Sequence, residues 1–218
     1  MNSVIESVSI PGRSSIGWVN EPDLRKSSVM SMIAQHKSEM RSAMRAMRSG
    51  LAPERREAYD QAIAATLMEI ARERWASYVG IYSAKGSEAD PQRFVDAWRD
   101  RGGRFAWPRV EGVELRFHLS EGLDLLSPGF RGINEPEATT PSSSIDTLDL
   151  LVVPGLAFDR MGGRLGQGGG HYDRALSSRA RPFTVGIAYS SQLVDQVPME
   201  ELDQRVDCVV TENGIETP

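Results

Sequence analysis

The sequence predicts a single α/β domain of three layers, a mainly parallel sheet with helices on both faces. Two helical patterns open the chain, and beyond residue 75 short apolar runs alternate with helical segments. Several runs are apolar at every position, as strands buried on both faces must be. The chain of 218 residues, 40% apolar and 25% charged, suits one globular domain with a sizeable core.

Residues 1–35 carry no apolar segment of signal-peptide type, and Glu6, Glu21 and Asp23 balance their bases. They read as a loose N-terminal extension to a domain spanning 36–218. From Ile33 to Arg48, Met40, Met44 and Met47 fall at helical spacing. A basic stripe of Lys37, Arg41, Arg45 and Arg48 runs beside them, and Arg45 and Arg48 read as solvated. Gly50 ends this helix, and Pro53 opens a second that runs to about Arg74. Tyr78 to Tyr82 reads as a buried strand and Phe94, Val95 and Trp98 as a helix face. Phe105 to Trp107 is a short strand expected to stop at Pro108. Val113, Leu115, Phe117 and Leu119 alternate with polar neighbours, a half-buried strand. Glu135 to Thr147 reads as loop. Leu150 to Val153 is a fully apolar strand ended by Pro154-Gly155. A helix over 170–179 and strands over 183–189 and 206–211 complete the order.

Composition removes several functions. With 25 basic against 30 acidic residues the net charge is −5, which disfavours general nucleic-acid binding. The longest apolar stretch, 150–158, is too short to span a bilayer, so no membrane role is expected. One cysteine, Cys208, rules out an intrachain disulfide, fits a reducing cytoplasm, and reads as a buried apolar residue. His36 and His118 have no neighbours at metal-ligand spacing.

The segment "RLGQGGGHYD", Arg164 to Asp173, holds four of the chain's twenty glycines. Read as a loop between a buried strand and a helix, it would sit where α/β sheets bind ligands. Glycines at 166, 168, 169 and 170 would let the backbone approach an anion, and Arg164 would add a forked contact. Asp173 beside a phosphate would call for a bridging Mg²⁺. A purely structural turn, with Asp173 favouring the helix dipole, remains open on these residues alone. Neither a Walker A pattern nor a strict G-x-G-x-x-G is present.

At this length of motif the chain resembles a known family. "VPGLAFDRMGGRLGQGGGHYDRAL", Val153 to Leu176, is similar to the signature of the 5-formyltetrahydrofolate cyclo-ligases, and the likeness runs from about Lys37 to Thr211. "HKSEMR" resembles the family's opening K-x-x-x-R, which implies ATP-binding roles for Lys37 and Arg41. "SAKGSEAD" resembles the folate-contacting segment, which implies Ser83 and Glu88. "WPRV" and "GINEP" resemble a strand end and a loop reaching the active site, the latter with Glu135. "ELDQRVD" resembles the stretch whose first aspartate serves magnesium, here Asp203. Departures are His171 where the family often has tyrosine, Gln167 where it often has a basic or aromatic residue, and Ala52 in place of a serine cap.

The resemblance implies a Rossmann-like fold and MgATP-dependent closure of 5-formyltetrahydrofolate to 5,10-methenyltetrahydrofolate. ATP would phosphorylate the formyl oxygen, N10 would attack the activated carbon, and phosphate would leave. It implies ATP contacts from Lys37, Arg41, Arg164, Leu165, Gly166, Gln167, Gly168, Gly169, Gly170, His171 and Tyr172. Of these, Lys37 and Arg164 would also neutralise transition-state charge. Folate contacts would come from Ser83, Glu88, Glu135 and Tyr172, and Mg²⁺ ligands from Asp173 and Asp203. The expected partners are the two small-molecule substrates, with the protein a monomer or weak homodimer in the cytoplasm. Two other readings are a sugar-phosphate isomerase or CoA-transferase relative, and a non-catalytic folate or nucleotide binder.

Overall fold

The computed structural model describes residues 21–120 and 122–216, with side chains described from Val29 onward. Helices α1 (Glu21–Ser49) and α2 (Pro53–Glu73) lead to strand β1 (Tyr78–Gly80). Helix α3 (Gln92–Arg99) then precedes the hairpin of β2 (Arg104–Glu111) and β3 (Glu114–Leu119). Three two-residue strands follow: β4 (Ser127–Pro128), β5 (Asn134–Glu135) and β6 (Ser142–Ser143). After β7 (Leu150–Pro154) come the short hairpin β8 (Ala157–Phe158) and β9 (Arg164–Leu165), then helix α4 (His171–Leu176). Strands β10 (Phe183–Ile187), β11 (Cys208–Thr211) and β12 (Gly214–Glu216) complete the order.

Eight of these strands form one sheet in the order β12-β11-β10-β7-β1-β2-β3-β6. The run from β11 through β2 is parallel, and the flanking pairs are antiparallel. From β1 the chain adds β2 on one side, then returns to add β7, β10 and β11 on the other. The strand order therefore reverses between β1 and β7. A crevice opens outside the carboxyl ends of strands at such a point.

The apolar strands are explained by what covers each face. Leu150 and Val152 of β7 pack with Ile63, Leu67 and Phe94 from α2 and α3, while Leu151 and Val153 pack with Phe158 and Leu176 on the other face. A third cluster of Ala157, Leu165 and Val197 receives Met40 and Met44 of α1. Met47, read as a third member of that stripe, is exposed. Cys208 is buried, and burial pushes its thiol up to about 11. Among the described residues no helix is long and apolar enough to cross a membrane.

Several elements depart from the sequence reading. Helix α1 begins at Glu21, upstream of Ile33, so the chain is helical through residues 21–35 of the expected loose extension; residues 1–20 lie outside the described residues. Strand β2 continues through Pro108 to Glu111. The carbonyl of Ala106 faces β1, where it accepts from Ile81 N–H. Pro108, two residues on, faces the same side beyond the last paired residue of β1, so its missing N–H breaks no ladder. In β3 the expected alternation holds poorly: Phe117 and His118 are both buried, and Leu119 is 39% exposed. The stretch read as plain loop after Glu135 holds the short strand β6, which pairs with β3.

Candidate functional site

The crevice is a cavity of about 360 Å³ lined by residues from widely separated parts of the chain. Every site residue expected from the sequence lines it: Lys37 and Arg41 from α1; Ser83 and Glu88 after β1; Glu135; Arg164 to Asp173; and Asp203. Sequence reasoning did not find Tyr82, Phe130, Ile133, Val110, Leu115 or Glu200, which line it too. Val110 and Ile133 lie inside the "WPRV" and "GINEP" segments, whereas Tyr82, Phe130 and Leu115 have no motif to mark them. Glu200 could have been found from its place one turn before Asp203.

The glycine segment leaves β9 and enters α4, so it follows a two-residue strand rather than β7 directly. Helix α4 ends at Leu176, short of the expected 179, and so offers less dipole than the sequence suggested. What the loop does offer is donors. The carbonyls of Gly166 and Gly169 accept from Arg41 Nε (3.0 Å) and Arg174 (2.9 Å), and that of Gly170 from Arg174 N–H (3.0 Å). Among the described residues, no N–H from Gly166 to Gly170 has a hydrogen-bond partner. Gly168 sits at φ +97° and Gly170 at φ +66°, which side chains strongly disfavour. A run of unpaired N–H groups beside arginines forms an anion cradle.

Around this cradle the charged side chains are paired. Lys37, 6% exposed, donates to Glu200 Oε2 at 2.6 Å and Asp203 Oδ2 at 2.5 Å. Burial alone would lower the Lys37 pKa, but the hydrogen bonds and charges of Asp203 and Glu200 outweigh it and raise the pKa. Lys37 therefore stays cationic through neutral pH. Arg164 donates to Asp173 Oδ1 at 2.9 Å, which also accepts from Gln204 N–H at 3.2 Å. Arg164 lies over the Tyr172 ring, and its buried Nε has no partner. Burial pushes the Tyr172 and Tyr82 phenols well up, so both are neutral donors at any working pH.

Glu88 accepts from Lys85 N–H at 3.1 Å, and Gln167 Nε2 reaches it at 3.5 Å. Arg45 in turn donates to Gln167 Oε1 at 2.8 Å, so the glycine loop and the Glu88 loop touch. Glu135 is buried, accepting from Val110 N–H at 3.3 Å with Arg109 at 3.8 Å. Phe130 sets its ring edge-on to His171, 5.7 Å between centroids, and both line the cavity.

Arg48 corrects the sequence reading. It is 5% exposed, donating to Ser87 Oγ and Gly155 O, where a solvated side chain was expected. Spacing alone put it on the face that carries Lys37; which part of that face is covered depends on the loops above it. Asp159 shapes its turn, accepting from Gly163 N–H and Val197 N–H, while Arg160 pairs with Glu216.

The acids suit a shared rather than a self-sufficient metal site. Among the described residues no group of three or more His, Cys, Asp or Glu is placed to hold a metal ion. Asp173 and Asp203 each use one carboxylate oxygen on a neighbouring cation and leave Asp173 Oδ2 and Asp203 Oδ1 without a partner. Magnesium is commonly held by one or two carboxylates plus substrate phosphates and water, and these residues fit that pattern.

A sequence model of the 5-formyltetrahydrofolate cyclo-ligase family matches residues 33–212. The 5-formyltetrahydrofolate cyclo-ligase of Escherichia coli (strain K12) is 30% identical over 179 residues, 79% of this chain and 98% of that protein. The mouse (Mus musculus) protein of the same name is 35% identical over 108 residues, an alignment covering 46% of this chain and 53% of the mouse protein. The NMR structure of Aquifex aeolicus 5,10-methenyltetrahydrofolate synthetase superposes with a TM-score of 0.71 at 30% identity, over 83% of this chain and 92% of that one.

Proposed function

The chain belongs to the 5-formyltetrahydrofolate cyclo-ligase family, and we propose that its pocket closes 5-formyltetrahydrofolate to 5,10-methenyltetrahydrofolate, converting ATP to ADP and phosphate. The observation that carries this reading is the glycine loop, whose unpaired N–H groups line the same cavity as Glu88.

The chemistry needs an oxygen removed from a formyl carbon. Oxide does not leave, so the formyl oxygen first attacks the γ-phosphorus of ATP and ADP departs. N10 then attacks the activated carbon, loses its proton, and phosphate leaves with the former formyl oxygen. No enzyme nucleophile is required; positioning and charge neutralisation suffice. The N–H groups of residues 166–170 cradle phosphate oxygens, with Arg41 holding the loop from α1. Lys37 and Arg164, both buried and cationic, offset the charge on the transferred phosphoryl group. Asp173 and Asp203 would hold Mg²⁺, which would supply charge neutralisation at the phosphates. Glu88 accepts from the pterin ring, with Ser83, Glu135 and Tyr172 completing the folate wall. The reading places the enzyme in the cytoplasm, with two small-molecule substrates, as a monomer or weak homodimer.

Purified protein given MgATP and 5-formyltetrahydrofolate should form methenyltetrahydrofolate, seen by near-ultraviolet absorbance, and ADP in equal amounts, only with a divalent metal. No methenyl product at any pH or folate chain length would overturn the reading. Ligand binding without turnover would favour a non-catalytic folate or nucleotide binder instead.

A further inference from the structure

We propose that Arg48 is a positioning residue that fixes Glu88 for the folate, an inference that rests on Glu88 being the pterin contact. Three observations lead there. First, Arg48 is buried yet lies outside the cavity lining, directly behind it. Second, its guanidinium spans the point where strand order reverses: Nε donates to Ser87 Oγ at 3.2 Å in the loop after β1, and Nη1 to Gly155 O at 3.5 Å after β7. Third, its Nη2 stands 3.8 Å from Glu88 Oε1, and Glu88 itself is largely buried, its side chain 14% exposed.

A buried guanidinium needs a carboxylate, and a buried carboxylate needs a cation. Glu88 is the acid that pairs with Arg48 among the described residues. The pair fixes where the Glu88 carboxylate oxygens lie, and such acceptors suit ring N–H donors. The fork also fixes direction: one planar group reaches the Glu88 loop and the end of β7 at once, which an ammonium on a flexible stem reproduces poorly. Arg48 would act through Glu88, without touching substrate.

The test is a double-mutant cycle read by equilibrium titration of 5-formyltetrahydrofolate and, separately, of MgATP. Arg48→Met should weaken folate binding about tenfold or more, as for loss of a charged hydrogen bond. MgATP affinity should stay within about twofold, and Arg48→Lys should recover part of the folate loss. In a Glu88→Gln background Arg48→Met should add little further, because the group it positions is gone. Additive losses, or equal losses for both ligands, would overturn the inference and leave Arg48 a structural residue. Should Arg48→Met not fold, Arg48→Lys against Glu88→Gln supplies the same cycle. Wild-type protein that binds no folate would take down the reading of the pocket and this inference with it. Normal folate binding in both Arg48 variants would remove the inference alone.

Discussion

Residues 83–90 and the glycine loop 166–170 meet across one cavity, but they are held in opposite ways. The Glu88 loop is tied down from behind. Arg56 donates to Gly86 O, Arg48 to Ser87 Oγ, and Tyr82 O–H to Ala89 O, while Asp60 accepts from Asp90 N–H. Its proposed role rests on one carboxylate, and the surroundings fix a side chain. The glycine loop's main chain is held by its carbonyls, through Arg41 and Arg174, with the Gln167 side chain between Arg45 and Glu88, and two of its residues sit at positive φ. Its proposed role rests on backbone N–H groups, which the surroundings leave free. On the proposed function, one loop recognises by a placed charge and the other by a bare main chain. Their substitutions should therefore behave differently.

The largest effect is expected on the glycine side, at the carboxylate proposed to hold the metal. Asp173→Asn keeps an acceptor for Arg164 but loses the charge. Its magnesium titration midpoint should rise by at least the ~10–100-fold typical of losing a supporting group at a metal site. Unchanged magnesium dependence would return Asp173 to a helix-start role.

Gly168→Ala should come next. The added Cβ meets nothing closer than Arg41 at 3.6 Å, so space is not the objection. The objection is φ +97°, where strain of about 1–3 kcal/mol is expected. A free loop that relaxes this strain must reimpose it on binding, so ATP affinity should fall by roughly 5–150-fold with little change in thermal stability away from the ligand. An ATP affinity like wild type would mean that the loop binds in another conformation.

The smallest effect probes the Glu88 side from behind. Burial pushes the Asp60 carboxyl up to about 6 from its usual 3.8, against the hydrogen bonds from Asp90 N–H and Tyr189 that lower it. The folded state thus favours the protonated form. This group's contribution to stability is full below pH 3.8 and is lost as pH rises through about 6. Asp60→Asn keeps the acceptor, so it should raise Tm at pH 7.5 and leave it unchanged near pH 3.5. A lower Tm at pH 7.5 would show that the ionised carboxylate is stabilising after all.

The sequence made the glycine side the more legible of the two. Backbone recognition requires glycines and a flanking arginine, and those are visible as letters from Arg164 to Gly170. The central strands were equally plain, because burial on both faces leaves Leu150 to Val153 no polar position. The Glu88 side was not. Its supports, Arg48, Arg56 and Asp60, are ordinary surface-type residues whose burial depends on which loops fold over α1 and α2. Pro108 misled for a related reason: a proline ends a strand only if its missing N–H faces a partner, which sheet order decides. Glu200 escaped because its pairing with Lys37 joins the two ends of the domain.

The central claim is that the cavity binds two ligands, folate through Glu88 and ATP through the glycine loop. Titrating both ligands into Glu88→Gln and Gly168→Ala gives four affinities that test it directly. Glu88→Gln should lose about 1.5–3 kcal/mol of folate binding and keep its ATP affinity, save for a small change through Gln167. Gly168→Ala should show the reverse. If Glu88→Gln weakens ATP as much as folate, or Gly168→Ala weakens folate and spares ATP, the assignment of the two loops is wrong.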